Sequence, residues 1–158
     1  MQIVCNASPV IFLAKIDLLH ILPALFHKLI IPDGVYKEIL SGKDDARDWL
    51  INYKKDFVAN VSSIPTIITA WDLGIGESQV LSYAYSTNGF IAALDDKAAR
   101  NCAKSLQIDV IGTLGLILMA KKKLIIPDAV MYLNKLAETD FRINDELFAK
   151  AIDLANRV

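Results

Sequence analysis

Along this chain, short apolar runs rich in β-branched residues end abruptly at polar clusters, and each cluster opens a stretch whose apolar positions recur at helical spacing. Gln2-Ile3-Val4-Cys5 reads as a buried strand. Pro9 suits the first turn of the helix that follows to about Ile16, because the N–H it lacks has no partner there anyway. A second short helix is expected over residues 18–26. Leu29-Ile30-Ile31 is a small strand stopped by Pro32, and Asp33 stands where it would cap a helix holding Val35, Tyr36, Ile39 and Leu40 and ended by Ser41-Gly42. A polar connection, Lys43-Asp44-Asp45, leads into a helix with Trp49, Leu50 and Tyr53. Residues 57–61 read as extended, and residues 67–71 are β-prone without a decisive period. A helical stretch runs from Gly76 to the turn at Asn88-Gly89, and Phe90-Ile91-Ala92-Ala93-Leu94 is then the clearest buried strand. A helix over 96–105, a short strand over 109–111 and a helix ending in Lys121-Lys122-Lys123 follow, with Thr113 as the expected cap of the last. Two more helices begin after Pro127 and at Ile143-Asn144-Asp145-Glu146.

Strands that alternate with helices long enough to serve as crossovers predict an α/β domain, a mainly parallel sheet covered on both faces. The 158 residues suit one domain with one core, without repeat, low-complexity tract or internal boundary. From about residue 127 the chain reads as a helical tail that packs on the sheet or on a second subunit. With 54% apolar residues, a well-filled interior is expected and disorder is not. The longest apolar stretch, residues 110–120, is too short to span a bilayer, and the opening run lacks the basic region of a signal peptide, so no membrane association is expected. Cys5 and Cys102 fit neither a metal spacing nor a disulfide framework and are expected to be buried thiols of a cytoplasmic protein. A net charge of −1 argues against a protein that coats nucleic acid by bulk positive charge, but leaves room for a basic rim around an acidic centre.

In an open parallel sheet, ligands bind just outside the carboxyl ends of the strands. The polar clusters fall at those ends. Asp95 and Asp96 follow the best strand directly; one acidic residue there caps a helix, and a second exceeds what capping needs. Which of the two caps and which faces a cation is open. Glu77 falls in the first turn of the helix after Gly74 and Gly76, and Glu38 lies on the helix after the second strand, where a solvated side chain is its plain reading. Asn6, the last residue of the first strand, is aimed at the same edge, while Ser8 reads as a helix cap. Lys97 and Arg100 recur with Lys104 along one helix beside the acidic pair, within reach of substrate phosphates, and Lys15 is a further such cation. His20 and His27 have no partner pattern. Neither a phosphate-cradling glycine loop, nor a dinucleotide fingerprint, nor the context of a hydrolase triad is present.

Read together, Asn6-Ala7-Ser8-Pro9-Val10-Ile11, Ile31-Pro32 with Val35-Tyr36-Lys37-Glu38-Ile39, Gly74-Ile75-Gly76-Glu77, Leu94-Asp95-Asp96-Lys97, Ile111-Gly112-Thr113-Leu114-Gly115 and Phe141-Arg142-Ile143-Asn144-Asp145-Glu146 resemble the PIN-domain family. The ordered set covers nearly the whole chain and is most similar to a prokaryotic branch of VapC-type toxins. The resemblance implies a three-layer α/β/α fold over residues 1–158 with a central mainly parallel sheet. It also implies a Mg²⁺- or Mn²⁺-dependent endoribonuclease, dimeric, and held inactive by a small antitoxin protein. Asn6, Glu38, Glu77, Asp95 and Asp96 would then form the catalytic and metal-binding set. Lys15, Lys97 and Arg100 would contact RNA phosphates, and Thr113 a metal-bound water. The chain departs from the branch at Asn6, where the branch has an aspartate. A neutral amide oxygen replaces a charged one, so affinity for a hard cation, and activity with it, is expected to fall. The expected reaction is hydrolysis of an RNA phosphodiester by metal-activated water. A non-catalytic module that binds RNA or an antitoxin-like protein is the alternative, and a phosphoryl-accepting domain around Asp95-Asp96 ranks last.

Overall fold

Because both faces of the sheet are covered, its strands carry apolar residues at successive positions: Ile3, Val4 and Cys5 are fully buried on the first strand, β1 (Gln2–Cys5). The computed structural model describes residues 1–53 and 57–158. After β1 come α1 (Ala7–Lys15), α2 (Ile21–Leu25), β2 (Lys28–Pro32), α3 (Asp33–Ser41), α4 (Asp45–Tyr53), β3 (Val58–Ala59), α5 (Thr66–Thr69) and α6 (Ile75–Ser86). The second half holds β4 (Phe90–Ala93), α7 (Lys97–Ser105), β5 (Val110–Ile111), α8 (Thr113–Lys122), α9 (Ala129–Ala137) and α10 (Asp145–Arg157).

The five strands are parallel in the order β3-β2-β1-β4-β5, with Val4 opposite Ile30 on one side and Cys5 opposite Ala93 on the other. Chain order therefore runs outward from β1 to β3 in one direction and from β4 to β5 in the other. Helices α1, α3 and α4 pack on one another and α6 packs on α7, which gives an α/β fold whose parallel sheet is flanked by helices. The reversal between β1 and β4 opens a crevice at their carboxyl ends, where the backbone N–H of Asn6 donates to Ala93 O at 3.1 Å.

Three expectations are corrected. Residues 67–71 do not form a strand: after Pro65 the chain makes the short helix α5, burying Ile68, while Thr69 Oγ1 donates to Pro65 O at 3.0 Å. Asp33 does not cap α3, whose N-cap is Pro32; its carboxylate accepts from Val61 N at 2.9 Å and Gln79 Nε2 at 3.2 Å. Thr113 is the first residue of α8 and not its cap, that place being taken by Gly112. The tail helices α9 and α10 pack on α8 and on each other. Cys5 and Cys102 are buried and unbridged, and loss of solvent pushes both thiols up, which leaves them unreactive. No helix among the described residues is long and apolar enough to cross a membrane.

Candidate active site at the strand-order reversal

Asn6 sits at the centre of the crevice. It is 4% exposed, and its extended backbone carries the chain from β1 into α1 without a side-chain cap. Its amide is committed instead across the crevice: Nδ2 donates to Glu77 Oε1 at 3.0 Å. A carboxylate only accepts, so this contact fixes the amide's orientation and leaves Oδ1 pointing the other way. Oδ1 is buried and has no hydrogen-bond partner among the described residues. A buried carbonyl oxygen left in that condition loses its hydration without return, by about 1–3 kcal/mol.

The surroundings of Oδ1 explain why a glycine stands at position 76, in the first turn of α6. A Cβ at Gly76 would stand 2.7 Å from Asn6 Oδ1 and 3.4 Å from Glu38 Oε2. The missing side chain thus leaves a small space bounded by an amide oxygen and a carboxylate, with Glu77 next in sequence. Glu38 is exposed, but its carboxyl is partly withdrawn from water and lies near Glu77, and both effects raise its pKa above the ordinary glutamate value. Like charges held together beside an orphaned oxygen would gain from a cation. Among the described residues no three His, Cys, Asp or Glu side chains gather as a ready cage. The oxygen that completes this set is an amide: Asn6 Oδ1, Glu38 and Glu77 form a hard, all-oxygen donor group that fits a divalent ion such as Mg²⁺ or Mn²⁺.

Asp95 stands on the other side of the crevice and is held differently. Its Oδ1 accepts from Thr113 N at 2.8 Å, and its Oδ2 accepts from Ser8 Oγ at 2.9 Å and Thr113 Oγ1 at 2.7 Å. Helices α1 and α8 therefore both aim donors at one carboxylate. Asp96 caps α7, accepting from Ala99 N at 2.8 Å. Of the pair, Asp96 is the cap, and Asp95 is the carboxylate held by donors from α1 and α8. Ser8 and Thr113, expected as caps, orient Asp95 instead. Gly112 is needed for the same reason as Gly76, since a Cβ there would come within 2.6 Å of Arg100 Nη1 and 3.0 Å of Asp95 Oδ1. Arg100 Nη1 donates to Leu94 O at 3.3 Å, which keeps a cation beside the acidic centre.

Asn6, Glu77, Asp95, Asp96, Lys97 and Arg100 all line one cavity of about 980 Å³, and Glu38 lines an adjoining one of about 520 Å³ that shares Glu77. Lys15 is not part of either wall. Its ammonium pairs with Asp140 and lies 4.9 Å from the centre of the Phe12 ring. Sequence reasoning missed Gln79, which is buried and fully bonded: Oε1 accepts from Gly34 N at 2.8 Å, and Nε2 donates to Val61 O at 3.0 Å and to Asp33. That strut fixes the start of α3, which carries Glu38, against α6, which carries Glu77. Its one sequence signal is a polar residue beside the apolar Val80-Leu81 pair.

The family model DUF3368, a PIN domain, matches residues 2–157. No curated protein and no solved structure was found to match. A match over nearly the whole length, on a helix-covered parallel sheet with acidic groups at its strand-order reversal, means that this chain belongs to the PIN-domain family, a family of nucleases.

Proposed function

We propose that this protein is a divalent-metal-dependent endoribonuclease of PIN type, the toxin of a toxin–antitoxin pair, with a cation site tempered by Asn6. The observation that carries the reading is the orphaned Asn6 Oδ1 beside two mutually repelling carboxylates, a condition that a cation relieves. Asn6 Oδ1, Glu38 and Glu77 would hold Mg²⁺ or Mn²⁺. When bound, such an ion activates water and neutralises charge on a scissile phosphate. The protein's own groups then divide the remaining work. Asp95 Oδ1 carries one hydrogen bond and keeps a lone pair for a water proton, while Ser8 and Thr113 hold the carboxylate in a fixed orientation. Lys97 and Arg100, on the cavity wall, attract the substrate's phosphates.

The toxin assignment rests on the ordered motifs that resemble the VapC branch. A small antitoxin and a second copy of this chain are the proposed partners, and Ile67 and Trp71, 50% and 39% exposed at i,i+4 spacing, offer apolar surface for one of them. The second reading, a non-catalytic module, draws support from Asn6 donating to Glu77 instead of adding a charge. Cleavage of a mixed RNA pool decides between them. The wild type is expected to cleave with Mn²⁺ and not with chelator, and Glu77→Gln to lose the activity. Cleavage that survives Glu77→Gln is contamination, and absence of cleavage in wild type and Asn6→Asp alike supports the binding module.

A further inference from the structure

The larger cavity is acidic at one end only. Away from Asn6 and Asp95 its wall turns apolar and aromatic, with Phe12 from α1, Leu114 from α8, Phe141 from the turn before α10, and Leu147 from α10 itself. Phe12 and Phe141 meet edge to face, ring centres 4.9 Å apart at 79°. Both rings are half-buried, and Leu147 is 47% exposed. A hydrophobic core would have covered these side chains; here they face a space shared with the acidic centre.

The wall is also fastened. Asp140 pairs with Lys15 across the gap between α1 and the tail turn, and the same lysine lies over the Phe12 ring. The Thr139 hydroxyl accepts from Phe141 N at 3.2 Å. The aromatic pair is thus fixed before any ligand arrives. Cations flank it on the cavity rim: Lys97 and Arg100 on α7, and Arg142 next to Phe141.

Basic groups interleaved with ring faces in one groove are the recognition surface for single-stranded nucleic acid, since every base has a π-face to stack and every linkage a phosphate to pair. A space of about 980 Å³ exceeds what one phosphate at the acidic end occupies and leaves room for a nucleoside beside it. We infer that Phe12 and Phe141, with Leu114 and Leu147, form a nucleobase subsite that seats a base next to the scissile phosphate. The inference rests on the nuclease reading and adds to it where the strand is gripped. Because stacking supplies the grip, the subsite accepts any base and prefers purines for their larger face.

The test uses the full chain and a six-nucleotide single-stranded RNA with 2-aminopurine at one position, moved along the strand, against matching strands abasic at that position. Ca²⁺ replaces Mn²⁺, and affinity is read by anisotropy and stacking by 2-aminopurine quenching. At one position the base is expected to be quenched and its abasic partner to bind roughly 5- to 150-fold more weakly. Phe141→Leu should abolish that difference and Phe141→Trp restore it, while Lys97→Ala weakens both strands alike. Equal affinity of base-bearing and abasic strands at every position, without quenching, overturns the subsite and leaves the nuclease reading standing. Failure of the wild type to bind any strand overturns both and turns the groove over to a protein ligand. The wild-type comparison decides even if a variant does not fold.

Discussion

At the scale of single residues, Asn6 sets the character of the site because its two polar atoms do opposite things. Nδ2 neutralises part of the field of Glu77, and Oδ1 adds an acceptor with nothing to accept. Asn6→Asp removes the donor and places another carboxylate against Glu77. The metal-free variant is expected to lose about 1.5–3 kcal/mol of stability, and to bind Mn²⁺ more tightly than the wild type. Thermal melts with and without Mn²⁺ check both halves; a variant as stable as wild type in chelator would mean that the Asn6–Glu77 bond contributes little. Gly76→Ala aims a methyl group at Oδ1, and is expected to keep the circular dichroism of the fold while Mn²⁺ binding by calorimetry falls at least tenfold. The carboxylates were legible in the sequence because strand ends are easy to locate in an alternating pattern. Their roles were not. Asp95 and Asp96 are neighbours in an extended chain, so their side chains diverge, and only the position of Thr113 some 18 residues on decides which is held in the crevice.

Elements are joined around the site by contacts that a linear pattern does not contain. Gln79 ties the segment after β3 and the start of α3 to α6 through three partners, and Gln79→Leu would leave Gly34 N and Val61 O without theirs. A loss of about 2–4 kcal/mol is expected in urea unfolding, and a change below about 0.5 kcal/mol would show that water replaces the strut. The turn between α9 and α10 is tied to α1 by Lys15–Asp140 and by the Phe12–Phe141 contact. The Lys15 ammonium, by hydrogen bond and charge, holds the Asp140 carboxyl below its ordinary value of 3.8. A carboxylate whose folded pKa is depressed stabilises the fold above its unfolded pKa and loses that contribution as pH falls through the folded one. The melting temperature of wild type should therefore exceed that of Asp140→Asn by a small margin at neutral pH, and the margin should close below about pH 4. Since the pair is exposed, added salt should narrow it as well. Lys15 reads from sequence as a phosphate contact; its partner in the fold is 125 residues away, beyond the reach of any local pattern.

For the whole molecule, the order of apolar runs was enough to give the α/β class, the parallel sheet and the covered faces, because a strand buried on both sides has few polar positions to confuse it. Residues 67–71 failed for the complementary reason: three β-branched residues with no neighbour strand to pair have no sheet to join, and Pro65 before them starts a helical turn. The strand order is what brings Asn6, Glu38, Glu77 and Asp95 together from four separate segments. The claim at the centre is that this reversal point holds a divalent cation through an amide oxygen and two glutamates. An anomalous difference map from crystals soaked in Mn²⁺ tests it most directly. A peak within bonding distance of Asn6 Oδ1 and of both the Glu38 and Glu77 carboxylates, lost in Glu77→Gln, is the predicted result. A peak seated elsewhere, or none at a Mn²⁺ concentration that supports RNA cleavage, would contradict it.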